Sequence, residues 1–169
     1  MQKMFCYQCQ EADKNVACQL SGICGKKPEL ANMMDLLMFV SKGVSAYAHA
    51  ARKAGAETPE ADAYVMRALF MTITNANFDQ AKIEEQIEVG LQTREQMRAK
   101  MEAAGGKMPA TAHECLTWTA PRSEFEAKSH SPEVGVLATE NEDIRSLREL
   151  LIYGIKGMAA YTEHAENLG

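Results

Sequence analysis

Apolar residues recur at three- and four-residue steps from position 28 onward, with Leu30, Met33, Leu37, Val40, Val44, Tyr47 and Ala51 falling on one helical face. Pro28 occupies an N1 position, where its missing N–H costs nothing, and Gly55 supplies a C-terminal stop. A second run opens at Thr58-Pro59 and continues through Ala63, Met66, Leu69, Phe70 and Ile73. A third carries Ile83, Ile87, Leu91 and Met101 between a cap at Asn77 and the Gly105-Gly106 pair. Three amphipathic helices joined by short loops predict an antiparallel bundle over 28–106 whose apolar stripes form the core.

Periodicity then stops. From Lys107 to Glu133 the chain is punctuated by Pro109, Pro121 and Pro132, a stretch too long to stay unsupported in a compact bundle. Trp118, the single tryptophan, and Phe125 are expected to pin it down by packing, the usual work of a lone Trp, rather than by carrying electrons. A short extended segment, Val134 to Leu137, leads into Thr139-Glu140-Asn141-Glu142, read as a capping box opening a last helix. Glu140, Glu142 and Asp143 complement that helix's dipole and suggest no acid–base work.

The last helix repeats the first. Leu150, Leu151, Lys156, Gly157, Ala160, Tyr161, Ala165 and Gly169 each stand 114 positions after Leu36, Leu37, Lys42, Gly43, Ala46, Tyr47, Ala51 and Gly55, eight matches in 20 aligned positions. A duplicated first helix implies a second bundle, and a part-repeat cannot bury its own apolar face. Its stripe must lie on the first bundle, pair with another copy in self-association, or stay exposed. The predicted fold is therefore all-α. Its parts are a Cys-rich loop (1–27), a three-helix bundle (28–106), an irregular connection (107–138) and the first helix of an incomplete second bundle (139–169).

The chemistry lies in the first part. Cys6, Cys9, Cys18 and Cys24 crowd into 24 residues, and only Cys115 follows. The opening MQKMFCYQCQ has no apolar signal region and no cleavage site, so a cytoplasmic location is expected and a disulfide framework is disfavoured. A thioredoxin-like CxxC is also disfavoured, since nothing before Cys6 is long enough to be the strand such a motif follows. Metal binding leads. All-thiolate zinc sites commonly use two short-spaced pairs, whereas this chain has one pair and two single cysteines flanked by Gly22 and Gly25. Spacing thus places an iron–sulfur cluster ahead of zinc and leaves a non-redox, Zn-binding helical interaction module as the alternative.

Four blocks of sequence carry a resemblance: MFCYQCQEADKN at 4–15, GICGK at 22–26, TITNANFD at 72–79 and ATENEDIRSLRELL at 138–151. They closely resemble the N-terminal region of the hybrid cluster proteins, also called prismane proteins or hydroxylamine reductases, along nearly the whole chain. The resemblance implies that Cys6, Cys9, Cys18 and Cys24 bind a cluster of the [4Fe-4S] class, as in family members with compact cysteine spacing. It implies an electron-relay role, an external electron-donor protein and reduction of hydroxylamine to ammonia, with nitric oxide as a further substrate class. It also implies a hybrid iron–sulfur–oxygen cluster (4Fe-2O-2S) whose ligands lie in later domains and map to nothing here. By that likeness the sequence reads as the front portion of the enzyme, with two three-helix bundles in the intact first domain and no catalytic residue of its own.

Other classes are excluded or unsupported. A formal net charge of -5 and the lack of a Lys/Arg block argue against nucleic acid, and no apolar run reaches the roughly 20 residues of a membrane span. His49, His113, His130 and His164 share no metal-binding spacing and receive no role. Cys115 reads as a spare packed thiol. Tyr7 and Gln8, inside the CxxC turn, are placed to shield a cluster and to offer it a backbone amide.

Overall fold

The computed structural model describes residues 3–107 and 113–168, so Pro109 and Gly169, both used in the sequence reading, lie outside the described residues. Among the described residues there are five α-helices: α1 (Pro28–Lys53), α2 (Pro59–Met71), α3 (Gln80–Ala103), α4 (Phe125–Ser129) and α5 (Glu142–Leu168). Among the described residues there is no β-strand, only an isolated antiparallel bridge between Cys6 and Cys18.

The first three helices form where the apolar period predicts them. Pro28 and Pro59 open α1 and α2 at the first helical position. Helix α1 is the central post, with Leu36, Leu37, Val40, Val44, Tyr47 and Ala51 all at 0% exposure. It packs chiefly on α3 through Ile83, Ile87, Met97 and Met101, while α2 covers both and α5 lies on α2. Full burial of side chains this size stabilises by about 1.5–3 kcal/mol each, which makes the α1–α3 seam the main source of cohesion.

Several local expectations are corrected. Helix α2 ends at Met71 rather than at Ile73, because Thr72 turns its hydroxyl back to the Leu69 carbonyl (3.0 Å). The cap of α3 is Asp79, whose side chain accepts from the Lys82 N–H, while Asn77 accepts from the Asp79 N–H two residues earlier. Val134 to Leu137 is not extended, since residues Val136–Ala138 form a 3₁₀ turn. The capping box does not form either. Asn141 caps α5 by accepting from the Ile144 N–H (3.0 Å), and the Thr139 hydroxyl accepts instead from Arg148.

The connection between α3 and α5 is held down by two devices. Trp118 stands between Phe39 and Phe125 (centroids 6.3 and 5.9 Å), as its packing role predicts. Lys128 Nζ lies over both the Phe39 and Trp118 rings and pairs with Glu114 (2.8 Å) and Glu133 (2.6 Å). The second device is Arg94 of α3, a fully buried guanidinium that donates to the carbonyls of Cys115 (3.1 Å) and Trp118 (2.6 Å). The Cys115 backbone presses so closely on α1 that a Cβ at Gly43 would stand 2.2 Å from its carbonyl oxygen.

Helix α5 shares its sequence pattern with α1 and inverts its environment. Lys42 is exposed in α1 and Lys156 is buried in α5, whereas Leu37 and Tyr47 are sealed and their counterparts Leu151 and Tyr161 are 64% and 83% exposed. Leu147, Leu150 and Met158 extend the same bare stripe. That stripe stands exposed among the described residues.

Candidate metal centre

The cysteine loop folds back on itself before reaching α1. Lys3 and Met4 donate to the Gln19 carbonyl, and Cys6 and Cys18 exchange backbone hydrogen bonds (3.2 and 2.8 Å), so two short segments run antiparallel. Met4 and Cys18 are buried against Ala31 of α1, with Cys6 packed on them. Asn32 of α1 donates to the Lys3 carbonyl (3.0 Å) and fastens the start of the loop. The second half closes through the Gly22 N–H bonded to the Lys26 carbonyl (2.8 Å). Gly25 there takes φ +89°, a left-handed conformation that a side chain would strain.

This folding brings all four N-terminal thiols to one place. Cys6, Cys9, Cys18 and Cys24 line a single small cavity with Met4, Gln8, Ile23, Lys26 and Thr74, and none of them is in a disulfide. They line it without converging: among the described residues no group of three or more His, Cys, Asp or Glu side chains is set to hold a metal ion. Four free thiols around one cavity are nonetheless a donor set that suits a soft metal or an iron–sulfur cluster. Burial pushes the Cys6 thiol up, and a hydrogen bond from the Gln8 backbone and the charge of Lys26 pull the other way. Cys115 lies elsewhere, buried under Arg94 and Gly43, and takes no part in the cavity.

A larger cavity of about 360 Å³ adjoins the first between the cysteine loop, α1 and α5. Cys6, Gln8 and Lys26 line both, while Tyr7 faces the larger one and an outer groove that Cys9 and Cys24 also line. Asp35, Glu149 and Lys156 supply further charge. Burial raises the Asp35 carboxyl to about 7 against the pull of Lys156, and burial lowers Lys156 to about 8 against the pull of Asp35. The Glu149 carboxyl is raised by burial as well.

A sequence profile described as the Prismane/CO dehydrogenase family matches residues 4–169. The chain belongs to the prismane/CO dehydrogenase family. It is 52% identical over 167 residues to a protein named hydroxylamine reductase in Desulfitobacterium hafniense (strain DSM 10664 / DCB-2), covering 98% of this chain and 30% of that protein. Proteins of the same name in Bacteroides fragilis (strain YCH46) and Clostridium perfringens (strain 13 / Type A) are 51% and 48% identical. Those matches cover 98% of this chain and 29% and 30% of the relatives. The chain thus spans about 30% of the length of these curated relatives.

In the sequence of this prismane-family chain the four thiols stand out by their crowding, whereas Lys26, Asp35, Glu149 and Lys156 carry no spacing or motif that marks them as site residues. Lys156 left one trace, the Lys-Gly pair shared by the repeat, but its burial depends on which face of α5 meets α2. The histidines hold structural positions: His113 accepts from the Cys115 N–H, His130 lies 3.3 Å from Asn32, His164 meets Phe70 edge-on, and His49 is exposed. Among the described residues no helix is long and apolar enough to cross a membrane.

Proposed function

We propose that this chain is the iron–sulfur electron-relay portion of a hydroxylamine reductase, with Cys6, Cys9, Cys18 and Cys24 as the four ligands of a [4Fe-4S] cluster. The observation that carries this reading is the placement of those four free thiols around one cavity, in a chain about half identical to proteins named hydroxylamine reductase. When bound, such a cluster supplies one-electron transfer at a potential set by its surroundings. The chain's own residues supply those surroundings. Met4 lines the cavity and packs with Ala31 against Cys18, the Gln8 backbone N–H offers a hydrogen bond at Cys6, and Lys26 places a buried cation beside the thiols.

In this reading an external donor protein in the cytoplasm delivers electrons to the loop, and the remaining domains of the enzyme receive them. Reduction of hydroxylamine to ammonia, or of nitric oxide, would fall to a hybrid cluster held by those domains. The chain contributes placement and potential. Replacing each cysteine singly by Ala tests the ligand set in anaerobically reconstituted protein. Loss of any of Cys6, Cys9, Cys18 or Cys24 should lower bound iron and visible absorbance, while Cys115→Ala should leave both unchanged. Full iron retention by all four single variants would refute the assignment.

A further inference from the structure

Helix α5 meets the cysteine loop through Arg145, which lies over the Phe5 ring, and through Lys156. Lys156 is 2% exposed, although its repeat counterpart Lys42 is solvated, and its Nζ points to the C-terminal end of α2, 3.4 Å from the Thr72 carbonyl. Gln8, inside the CxxC turn, closes the arrangement. With its amide oriented to satisfy both ends, it donates to the Thr72 carbonyl (3.1 Å) and accepts from Lys156 Nζ (2.8 Å). Three segments distant in sequence, the turn between Cys6 and Cys9, the end of α2 and the middle of α5, therefore share one buried hydrogen-bonded triangle.

A buried ammonium needs a reason, because removing it from water is costly unless it is paired and hydrogen-bonded. Asp35 of α1 and Glu149 of α5 line the larger cavity with it and attract its charge, while burial raises both carboxyls. Neither carboxylate is needed to fix Gln8. A neutral hydrogen-bond donor would satisfy Gln8 and Thr72 equally well, and the charge stands one hydrogen bond away from Gln8, which lines the thiol cavity with Lys26.

We propose that Lys156 is a positioning residue for the iron–sulfur site: through Gln8 it fixes the CxxC turn against α2 and α5, and its buried positive charge raises the reduction potential of the cluster. The second half rests on the iron–sulfur reading; the first does not. A cation in a low-dielectric setting favours the more negative, reduced cluster, and charge and hydrogen bonding near the sulfurs are the protein's main levers on potential.

Three variants of the full 169-residue chain separate the two effects. Lys156→Met removes charge and hydrogen bond, Lys156→Gln removes the charge but keeps a donor, and Gln8→Met removes the bridge alone. In metal-free protein, exchange at the Cys6 and Cys18 amides should rise by about tenfold in Lys156→Met and Gln8→Met, as loss of a charge-assisted hydrogen bond implies, and much less in Lys156→Gln. In cluster-loaded protein, both Lys156 variants should lower the reduced-to-oxidised ratio at fixed ambient potential by at least about threefold, and Gln8→Met by less. Unchanged exchange in both Met variants would overturn the positioning role. An unchanged potential in loaded Lys156→Gln would overturn the electrostatic role, and failure of the wild-type chain to load a cluster would instead count against the iron–sulfur reading. Should Lys156→Met not fold, Lys156→Gln and Gln8→Met still decide both points.

Discussion

Arg94 shows how a single side chain can hold an irregular segment. Its guanidinium lies at 1% exposure and donates to two main-chain carbonyls, Cys115 and Trp118, in a stretch that offers them no helical partners. The third contact, to Glu95, brings a carboxylate that neutralises the charge (3.1 Å). Replacing Arg94 by Met should cost about 3 kcal/mol, since it leaves two buried acceptors without donors. Urea unfolding of wild type and variant measures this, and a loss under about 1 kcal/mol would mean that the carbonyls find water. The sequence marks such residues poorly. Cys6, Cys9, Cys18 and Cys24 stand out because their chemistry and crowding are local, whereas Arg94, Lys26 and Lys156 look like ordinary helix or loop cations until the partner surfaces are in place.

Among the elements, α1, α2 and α3 were legible because a buried stripe must recur with the helical period, and their ends were less so. Asn77 and Asp79 both carry oxygens suited to capping, as do Thr139 and Asn141, and only the direction of the incoming chain selects the second of each pair. The connection after α3 lacks period, yet its described residues include α4 and three 3₁₀ turns, with Trp118, Lys128 and their partners as anchors. That anchor predicts a pH effect. The hydrogen bond from Lys128 holds the Glu133 carboxyl down at about 2 from an ordinary 4.5. A depressed carboxylate contributes stability that is fully present above its unfolded value and disappears as pH falls through the folded one. The contribution should therefore be intact above about pH 5 and fade toward pH 2. Trp118 fluorescence followed in urea at stepped pH should show the midpoint of wild type falling toward that of Glu133→Gln across this window. Parallel curves for the two proteins would place the acid sensitivity elsewhere.

At the scale of the whole molecule, the decisive feature is that one helical sequence occurs twice in opposite settings. Leu36, Leu37 and Tyr47 of α1 are the centre of a three-helix bundle, and the matching Leu150, Leu151 and Tyr161 of α5 face outward. The repeat in the sequence predicted an unsatisfied face. It did not predict that the opposite face of α5 would lie on α2 and send Lys156 into the cysteine loop. An apolar stripe of this length on an isolated chain drives association. Sedimentation of the 169-residue chain should show concentration-dependent self-association that Leu151→Glu combined with Met158→Glu suppresses. A sharp monomer for the unaltered chain at all concentrations would show that the stripe is tolerated in water.

The claim on which the account turns is that the N-terminal thiols hold an iron–sulfur cluster. Iron, labile sulfide and zinc measured together in anaerobically prepared chain test it directly. The protein should be brown, with about four iron and four sulfide per chain and little zinc. Stoichiometric zinc with no labile sulfide would contradict it and would make the cysteine loop a structural zinc site.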